Sequence, residues 1–159
     1  MAFRVLDSSA FYAGIPFGSN EPSYITSLVY NEIEHIKKDH DAVQILIETK
    51  RLTINEPEDQ FVIVASDAAK KSGDFPNLSD EDISTIALSL QLKAELVTDD
   101  FAVSNVAKNL SIKIVPVMTS GIKNVVIWKY YCPGCKTNFS KVTECPMCGN
   151  RLKRKPMKN

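Results

Sequence analysis

The sequence has no long hydrophobic runs, and its first 131 residues contain no cysteine. Its longest uncharged apolar runs, such as residues 61–65, fall far short of the roughly 18 residues that a membrane-spanning helix needs. The chain does not open on a secretory signal, because Arg4 is followed almost at once by Asp7 rather than by an apolar stretch. We therefore expect an intracellular, cytoplasmic protein that does not enter a membrane.

Glycine, proline and histidine are also scarce, with six, eight and two residues in a chain of 159. Apolar residues make up 44% and charged residues 24%, which excludes a disordered, collagen-like or low-complexity chain. The absence of cysteine excludes a Cys nucleophile from the first 131 residues, and two histidines give poor support for a His-based triad. Catalysis in this part of the chain would have to use other side chains.

The net charge of zero conceals a division of the chain into an acidic part and a basic part. Residues 1–128 contain 11 basic and 18 acidic side chains, whereas residues 129–159 contain eight basic side chains and one acidic. All four cysteines lie in the basic part. Such asymmetry indicates units with different tasks. We predict a first domain over 1–117, a linker over 118–127, a small metal-binding module over 128–152 and a basic tail over 153–159.

Strand-like and helix-like segments alternate through the first domain. The predicted strands cover residues 3–6, 24–26, 52–54, 95–98 and 112–117. The predicted helices cover about 28–38, 41–50, 59–71, 79–92 and 103–110. This alternation predicts an α/β fold in which helices cover both faces of a parallel sheet.

The basic part contains two C-x2-C pairs separated by nine residues: Cys132 and Cys135, then Cys145 and Cys148. This spacing predicts four thiolates around one tetrahedral zinc ion, which is a structural site because no coordination position stays open. Two disulfides or a redox pair are the alternatives, and both are uncommon inside cells. So small a module cannot bury a sufficient core, so the metal should supply its folding energy.

Basic and aromatic side chains accompany the cysteines. The basic residues that we predict to bind nucleic acid follow the last cysteine, and they are Arg151, Lys153, Arg154 and Lys155. Aromatic residues beside them, such as Trp128 and Tyr131, suit a phosphate backbone with stackable bases. The alternative is a solvated tail, with the aromatic side chains packed in the small core of the module.

Several carboxylates in the first domain stand where strands end or helices begin. Asp7 ends the first strand, and Asp99 and Asp100 follow a later one. The carboxyl ends of parallel strands are where ligands collect. An N-cap is the alternative for each position, although capping after Thr98 would need one aspartate and not two.

Two further carboxylates lie on helices. Glu32 falls among Leu28, Val29 and Ile33 on a helical projection, so we expect it on the apolar face; the alternative is the edge of that face, bent towards water. Asp82 follows Ser79 as in a capping box, yet three acids in one first turn exceed what capping requires. Clustered carboxylates repel unless a cation neutralises them, and oxygen ligands suit Mg²⁺ or Mn²⁺.

The ordered set of these segments resembles the PIN-domain ribonucleases. The segments are residues 5–9, 29–33, 78–88 and 96–100. With the four-cysteine module, nearly the whole chain resembles the archaeal endonucleases that trim the 3′ end of small-subunit ribosomal RNA. The resemblance implies a parallel sheet flanked by helices and cleavage of single-stranded RNA that depends on Mn²⁺ or Mg²⁺. It also implies precursor rRNA and the pre-ribosomal particle as partners.

The resemblance maps an acidic quartet onto Asp7, Glu32, Asp82 and Asp100, with one or two catalytic ions. It favours Asp100 over Asp99 because the family usually uses the second acid, and it gives Ser9 and Thr98 a role in positioning metal or water. Two other functions stay open. One is a non-catalytic RNA-binding assembly factor, and the other is a toxin-type ribonuclease that cuts tRNA or mRNA.

Overall fold

The structure, a computed structural model, describes residues 3–33, 40–118, 126–136, 138–139 and 144–156. Five short strands build the first sheet: β1 (Arg4–Leu6), β2 (Ser23–Ile25), β3 (Leu52–Ile54), β4 (Glu95–Val97) and β5 (Ile114–Val115). Their order is β3-β2-β1-β4-β5, and every neighbouring pair is parallel. The predicted parallel sheet is confirmed, with β3 at one edge.

Helices connect these strands. They are α1 (Ser8–Tyr12), α2 (Ile15–Gly18), α3 (Ser27–Ile33), α4 (His40–Glu48), α5 (Asp59–Ser72), α6 (Asp80–Leu92) and α7 (Phe101–Asn109), with a short 3₁₀ helix at Phe75–Asn77. The end of the predicted helix over 28–38 lies outside the described residues. No helix in the described parts of the chain is both long and apolar enough to cross a membrane.

Both faces of the sheet are buried. Side chains alternate along a strand, and Val5 packs in one cluster of buried apolar residues while its neighbour Leu6 packs in another. Leu96 and Val97 of the adjacent strand divide in the same way. Because β1 and β4 lie at the centre of the sheet, their carboxyl ends are held between two packed layers of helices.

The four-cysteine module forms a second, three-stranded antiparallel sheet. Its strands are β6 (Trp128–Tyr131), β7 (Asn138–Phe139) and β8 (Lys153–Pro156), in the order β7-β6-β8. We predicted a basic tail over 153–159, but residues 153–156 pair with β6 and belong to this sheet. The predicted linker over 118–127 lies largely outside the described residues, which resume at Val126.

Candidate active site and metal centres

Asp7 stands at the carboxyl end of the central strand β1 and caps α1. Its Oδ1 accepts from the Ser9 hydroxyl at 2.5 Å and from the Ala10 N–H at 3.3 Å. The Thr98 hydroxyl donates to Oδ2. The side chain is therefore an N-cap and also part of a polar network that joins two strand ends. Only 5% of the residue is exposed, and burial raises its pKa although these hydrogen bonds lower it.

Thr98, Asp99 and Asp100 follow strand β4, which pairs with β1 up to Leu6 and Val97. The carboxylate of Asp99 accepts from the Val117 N–H at 2.7 Å and the Met118 N–H at 2.8 Å. Asp99 therefore fixes the backbone of the residues that follow β5. Asp100 caps α7 through Oδ1, which accepts from Val103 N–H at 3.0 Å.

Asp82 lies in the first turn of α6 and completes a capping box with Ser79. Its Oδ2 accepts from the Ser79 N–H at 2.9 Å, and its own N–H donates to the Ser79 hydroxyl at 3.2 Å. The pKa of Asp82 is raised, mainly by burial and further by the negative charges of Asp100 and Glu81. Asp82 therefore caps α6 and is at the same time one of a group of neighbouring acids.

Glu32 is not on the buried face of α3 as we predicted. Val29 and Ile33, one turn apart, are the buried pair, whereas Glu32 is exposed and Leu28 is 37% exposed. The prediction was wrong because the buried stripe of this helix is narrower than the arc of apolar residues on the projection.

Glu32 nevertheless lies close enough to the other acids for their charges to act on it. Its pKa is raised by partial desolvation and by the charges of Glu81, Asp82 and Asp7, while a hydrogen bond with Ser8 lowers it. Charge coupling thus links Glu32 to Asp7 and Asp82, and Asp82 to Asp100. Sequence analysis missed Ser8 and Glu81, although Glu81 stood in the acidic first turn of α6.

The four cysteines form a much tighter group than the carboxylates. They are the one set of three or more His, Cys, Asp or Glu, among the residues described, whose ligand atoms all lie within 4.8 Å of one another. The Sγ atoms of Cys132 and Cys148 are 3.3 Å apart, and those of Cys135 and Cys145 are 3.9 Å apart. A tetrahedron with metal–sulfur bonds of ~2.3 Å has edges of about 3.8 Å, whereas a disulfide is about 2.05 Å long. The geometry fits a zinc ribbon and not disulfides.

A backbone donor favours the thiolate of Cys132, whereas the neighbouring sulfurs raise the pKa of Cys135 to about 12. The Cys135 N–H donates to Cys132 Sγ at 3.3 Å, and this bond is the main cause that lowers the pKa of Cys132 to about 6. The backbone at Gly134 passes close to the sulfurs and to a side chain, since a Cβ there would lie 3.8 Å from Cys132 Sγ and 2.9 Å from the Asn150 side chain. A metal site with four sulfur ligands has a structural role, because it leaves no coordination position for a substrate.

Comparison with known proteins decides the family. Residues 5–92 match the family model described as PIN domain of ribonuclease. The chain is 34% identical to endoribonuclease Nob1 of Pyrococcus abyssi, over 96% of this chain and 92% of that protein. It is 36% identical to endoribonuclease Nob1 of Methanocaldococcus jannaschii, over 100% of this chain and 80% of that protein. The chain belongs to the Nob1 family of PIN-domain endoribonucleases. It is also 33% identical to ribonuclease VapC1 of Thermoplasma acidophilum, over 77% of this chain and 63% of that protein.

In this Nob1-family chain the ribbon packs directly on the nuclease domain. The Tyr130 hydroxyl donates to the Gly73 carbonyl, and Asn77 donates to the Tyr130 oxygen at 3.3 Å. The Asn105 amide bonds to both the N–H and the carbonyl of Val126. We name this set of contacts the docking interface. Nothing in the sequence analysis anticipated it.

The four residues predicted to bind RNA do not form one surface in this Nob1-family chain. Lys153, Arg154 and Lys155 are consecutive in β8, so their side chains alternate between the two faces of the sheet. The Arg154 guanidinium lies 4.3 Å from the ring centre of Trp128, and the Lys155 ammonium lies 4.9 Å from that of Tyr131. Arg151 lies outside the strand, where its backbone forms an isolated antiparallel β-bridge with that of Glu144.

Proposed function

We propose that this protein is an Mn²⁺- or Mg²⁺-dependent endoribonuclease that cuts single-stranded RNA and matures the 3′ end of precursor small-subunit rRNA. The observation that carries the proposal is the approach of four acids: Asp7 and Asp100 directly follow β1 and β4, the charges of Asp7 and Asp82 raise the pKa of Glu32 on α3, and the charge of Asp100 raises that of Asp82 on α6. Like charges raise one another's pKa, and a divalent cation relieves that cost. The ribbon would hold one structural zinc ion.

The donor set supports a hard divalent cation in the acidic group. Its side chains offer carboxylate oxygens, with the hydroxyls of Ser9 and Thr98 beside them, and oxygen ligands are those that Mg²⁺ and Mn²⁺ prefer. Such a cation stabilises charge on a phosphodiester and lowers the pKa of bound water. Ser9 and Thr98 hold the Asp7 carboxylate in a fixed orientation from two sides.

The contacts of Asp99 favour Asp100 as the fourth member of the quartet. Asp99 gives both carboxylate oxygens to backbone N–H groups beyond β5. Asp100 uses Oδ1 for the cap of α7, and its charge acts on Asp82. Asp99 thus has a structural role of its own beyond β5, whereas the charge of Asp100 acts within the acidic group.

The relatives favour rRNA over other RNAs. The similarity to endoribonuclease Nob1 covers the ribbon as well as the nuclease domain, because it extends over 96% to 100% of the chain. The similarity to ribonuclease VapC1 covers 77%. A toxin-type activity on tRNA or mRNA is therefore the second candidate, and it would leave the ribbon without a role.

A cleavage assay tests the proposal. The zinc-loaded protein is freed of other metals and incubated with an RNA that spans the 3′ end of precursor small-subunit rRNA, with tRNA and mRNA fragments for comparison. We expect cleavage of the rRNA precursor when Mn²⁺ or Mg²⁺ is added and none without them. Cleavage of tRNA or mRNA alone would favour the toxin-type activity, and binding without cleavage in Mn²⁺ would favour an assembly factor.

Variants test the site itself. Asp7→Asn and Asp82→Asn should each lower the cleavage rate by more than about 100-fold, because even groups that only support metal ligands are worth 10- to 100-fold. Asp80→Asn is the matched control, because it removes the same charge from an exposed position in the same first turn of α6. If the Asp7 and Asp82 variants cleave as fast as the Asp80 variant, the site is misplaced.

A further inference from the structure

Tyr12, the last residue of α1, has a largely exposed aromatic ring. The residue is 65% exposed, whereas the other exposed aromatic residues in the described parts of the chain reach at most 43%. Each of those others lies against a second ring or a cation. The pairs are Phe3 with Tyr24, Phe75 with Lys70, and Phe101 with Trp128. Among the described residues Tyr12 has no such pair, so its ring is available to a ligand.

Tyr12 lies on the side of α1 that borders the acidic group. Ser8 is four residues earlier in the same helix, so the two side chains share a face, with Cβ atoms about 5–6 Å apart. The Ser8 side chain hydrogen-bonds with Glu32. Side chains on a helix lean towards its N-terminus, which in α1 is the end that Asp7 caps. The Tyr12 ring is therefore directed towards the acids and not away from them.

The segments that carry the acidic quartet offer RNA no positive side chain. These segments are residues 7–12, 27–33, 79–84 and 98–103, and they contain no lysine or arginine. A bound divalent cation stabilises the charge of a phosphodiester but leaves the bases without a contact. An aromatic ring is uncharged, so it does not pair with the neighbouring carboxylates, and it offers a surface on which any base can stack.

A base suits this ring better than a protein partner does. A single exposed apolar side chain is common on protein surfaces, and a protein partner covers a larger apolar patch. The residues that follow Tyr12 in the chain, Ala13 and Gly14, add little apolar side chain. One isolated ring beside a group of acids instead matches the size of one nucleobase attached to a phosphate that a cation holds.

We propose that Tyr12 stacks on a base of the RNA strand next to the phosphate held at the acidic group, and that it positions the strand for cleavage. The inference rests on the proposed function for the nature of the ligand. Every base has an aromatic face, so the contact selects no sequence. It does require a base that is free of its duplex neighbours, and it therefore favours single-stranded RNA.

The fluorescence of a labelled base tests the stacking apart from cleavage. The full-length, zinc-loaded protein is titrated into a short oligouridine with 2-aminopurine at its centre, whose fluorescence is quenched when it stacks. Ca²⁺ replaces Mn²⁺ and Mg²⁺, and a gel establishes that the RNA stays intact. The wild-type protein should quench the signal. Tyr12→Leu should quench it less and bind the RNA at least about fivefold more weakly, because the stack of one base is lost.

Two variants serve as controls for this titration. Tyr12→Phe keeps the ring and should keep both the affinity and the quenching of the wild type. Phe3→Leu makes the same change at an exposed ring that precedes β1, at the opposite end of this strand from Asp7, and should also behave as wild type. Zinc content and circular dichroism establish that each variant is folded. Equal results for Tyr12→Leu and Phe3→Leu, or a Tyr12→Phe protein as weak as Tyr12→Leu, would overturn the proposal.

Cleavage kinetics in Mn²⁺ locate the stacked base. Precursor rRNA segments that each carry one abasic nucleotide near the cleaved bond are compared between wild type and Tyr12→Leu. At the stacked position the two proteins should have equal kcat/KM, because the base is already missing, whereas elsewhere Tyr12→Leu should be about fivefold lower. If no position equalises them, Tyr12 does not stack. Absence of cleavage by the wild-type protein would contradict the proposed function instead, and the fluorescence titration would still decide whether Tyr12 stacks.

Discussion

Asp74 shows what it costs to bury a single carboxylate. The residue is fully buried. Its Oδ2 accepts from the Ser72 hydroxyl at 2.7 Å and from the Asn105 amide at 2.6 Å, while its Oδ1 has no hydrogen-bond partner. The indole N–H of Trp128 is near enough to lower the pKa of Asp74 but is also without a hydrogen-bond partner. Burial outweighs these contacts, and the pKa of Asp74 is raised.

Asp74→Asn should therefore change how stability depends on pH. A raised pKa means that the folded state binds the proton more tightly than the unfolded state. The wild-type protein accordingly loses stability as pH rises from the ordinary value of 3.8 to the raised folded value, and each unit between the two costs about 1.4 kcal/mol. The variant has no such proton, so its free energy of unfolding should improve relative to wild type as the pH rises above 3.8.

Urea unfolding of the two proteins at several pH values measures this difference. Asp67→Asn serves as the control, since Asp67 is an exposed acid on α5 whose removal should shift the curve little. A wild-type advantage that grows with pH would mean that the ionised Asp74 is stabilised, contrary to its lack of a partner on Oδ1.

At the scale of secondary-structure elements, the turn after α5 fixes where the ribbon can sit. Gly73 ends α5 with φ +82°, and a Cβ built on it would lie 2.2 Å from the carbonyl oxygen of Trp128 and 2.8 Å from the Trp128 Cβ. The start of β6 therefore passes directly over this glycine. A side chain at position 73 would have to push the two units apart.

Gly73→Ala should separate the ribbon from the nuclease domain. The strained φ costs about 1–2 kcal/mol, and the clash adds about 1–3 kcal/mol as in other overpacked sites. Gly14→Ala is a close control, because Gly14 has φ +76° and a Cβ built on it would have nothing within 4 Å. This variant should lose only the stability that the strained φ costs. Trp128 is the single tryptophan, so its fluorescence reports the change directly.

In this experiment the emission of Gly73→Ala should shift to the red as the Trp128 ring enters water, while Gly14→Ala keeps the wild-type spectrum. Zinc content should be equal in all three proteins, because the cysteines are not involved. An unshifted spectrum for Gly73→Ala would mean that the docking interface tolerates a methyl group.

The elements that the sequence predicted well are those with local signals. Ser79 and Gly73 mark the start of α6 and the end of α5, and the apolar runs of β1 and β4 end at acids. Helices α1 and α2 were missed because five and four residues are too few for a helical period to show. The docking interface was missed because Asn105 and Val126 are 21 residues apart and leave no pattern in the sequence.

The residues of the candidate site divide in the same way, into those with a local signal in the sequence and those without one. The positions of Asp7 and Asp100 could be predicted. A strand followed by an acid is a local feature of the sequence, and in a parallel sheet it places the acid at the carboxyl ends of the strands. The exposure of Glu32 could not, because it depends on how α3 is rotated against its neighbours. The assignment of these acids to a catalytic metal stays a prediction until the variants are measured.

At the scale of the whole molecule, two units of different kinds share one chain. The nuclease domain has two clusters of buried apolar residues on its sheet. The described part of the ribbon buries little besides Tyr130, Cys132 and Cys145. So small a core supplies little stability, whereas a structural zinc site contributes about 10–16 kcal/mol of binding energy. The ribbon should depend on its metal, and the nuclease domain should not.

Removal of zinc should therefore unfold one unit and leave the other. We expect a zinc-selective chelator, added with excess Mg²⁺ present, to shift Trp128 emission to the red while the helical circular dichroism at 222 nm changes little, because the described helices all lie before Leu110. The melting temperature of the nuclease domain should fall by a few degrees, since its contacts through Gly73, Asn77 and Asn105 are lost with the ribbon. Cys145→Ser should reproduce this state without chelator. Loss of the 222 nm signal together with zinc would show instead that the nuclease domain needs the ribbon in order to fold.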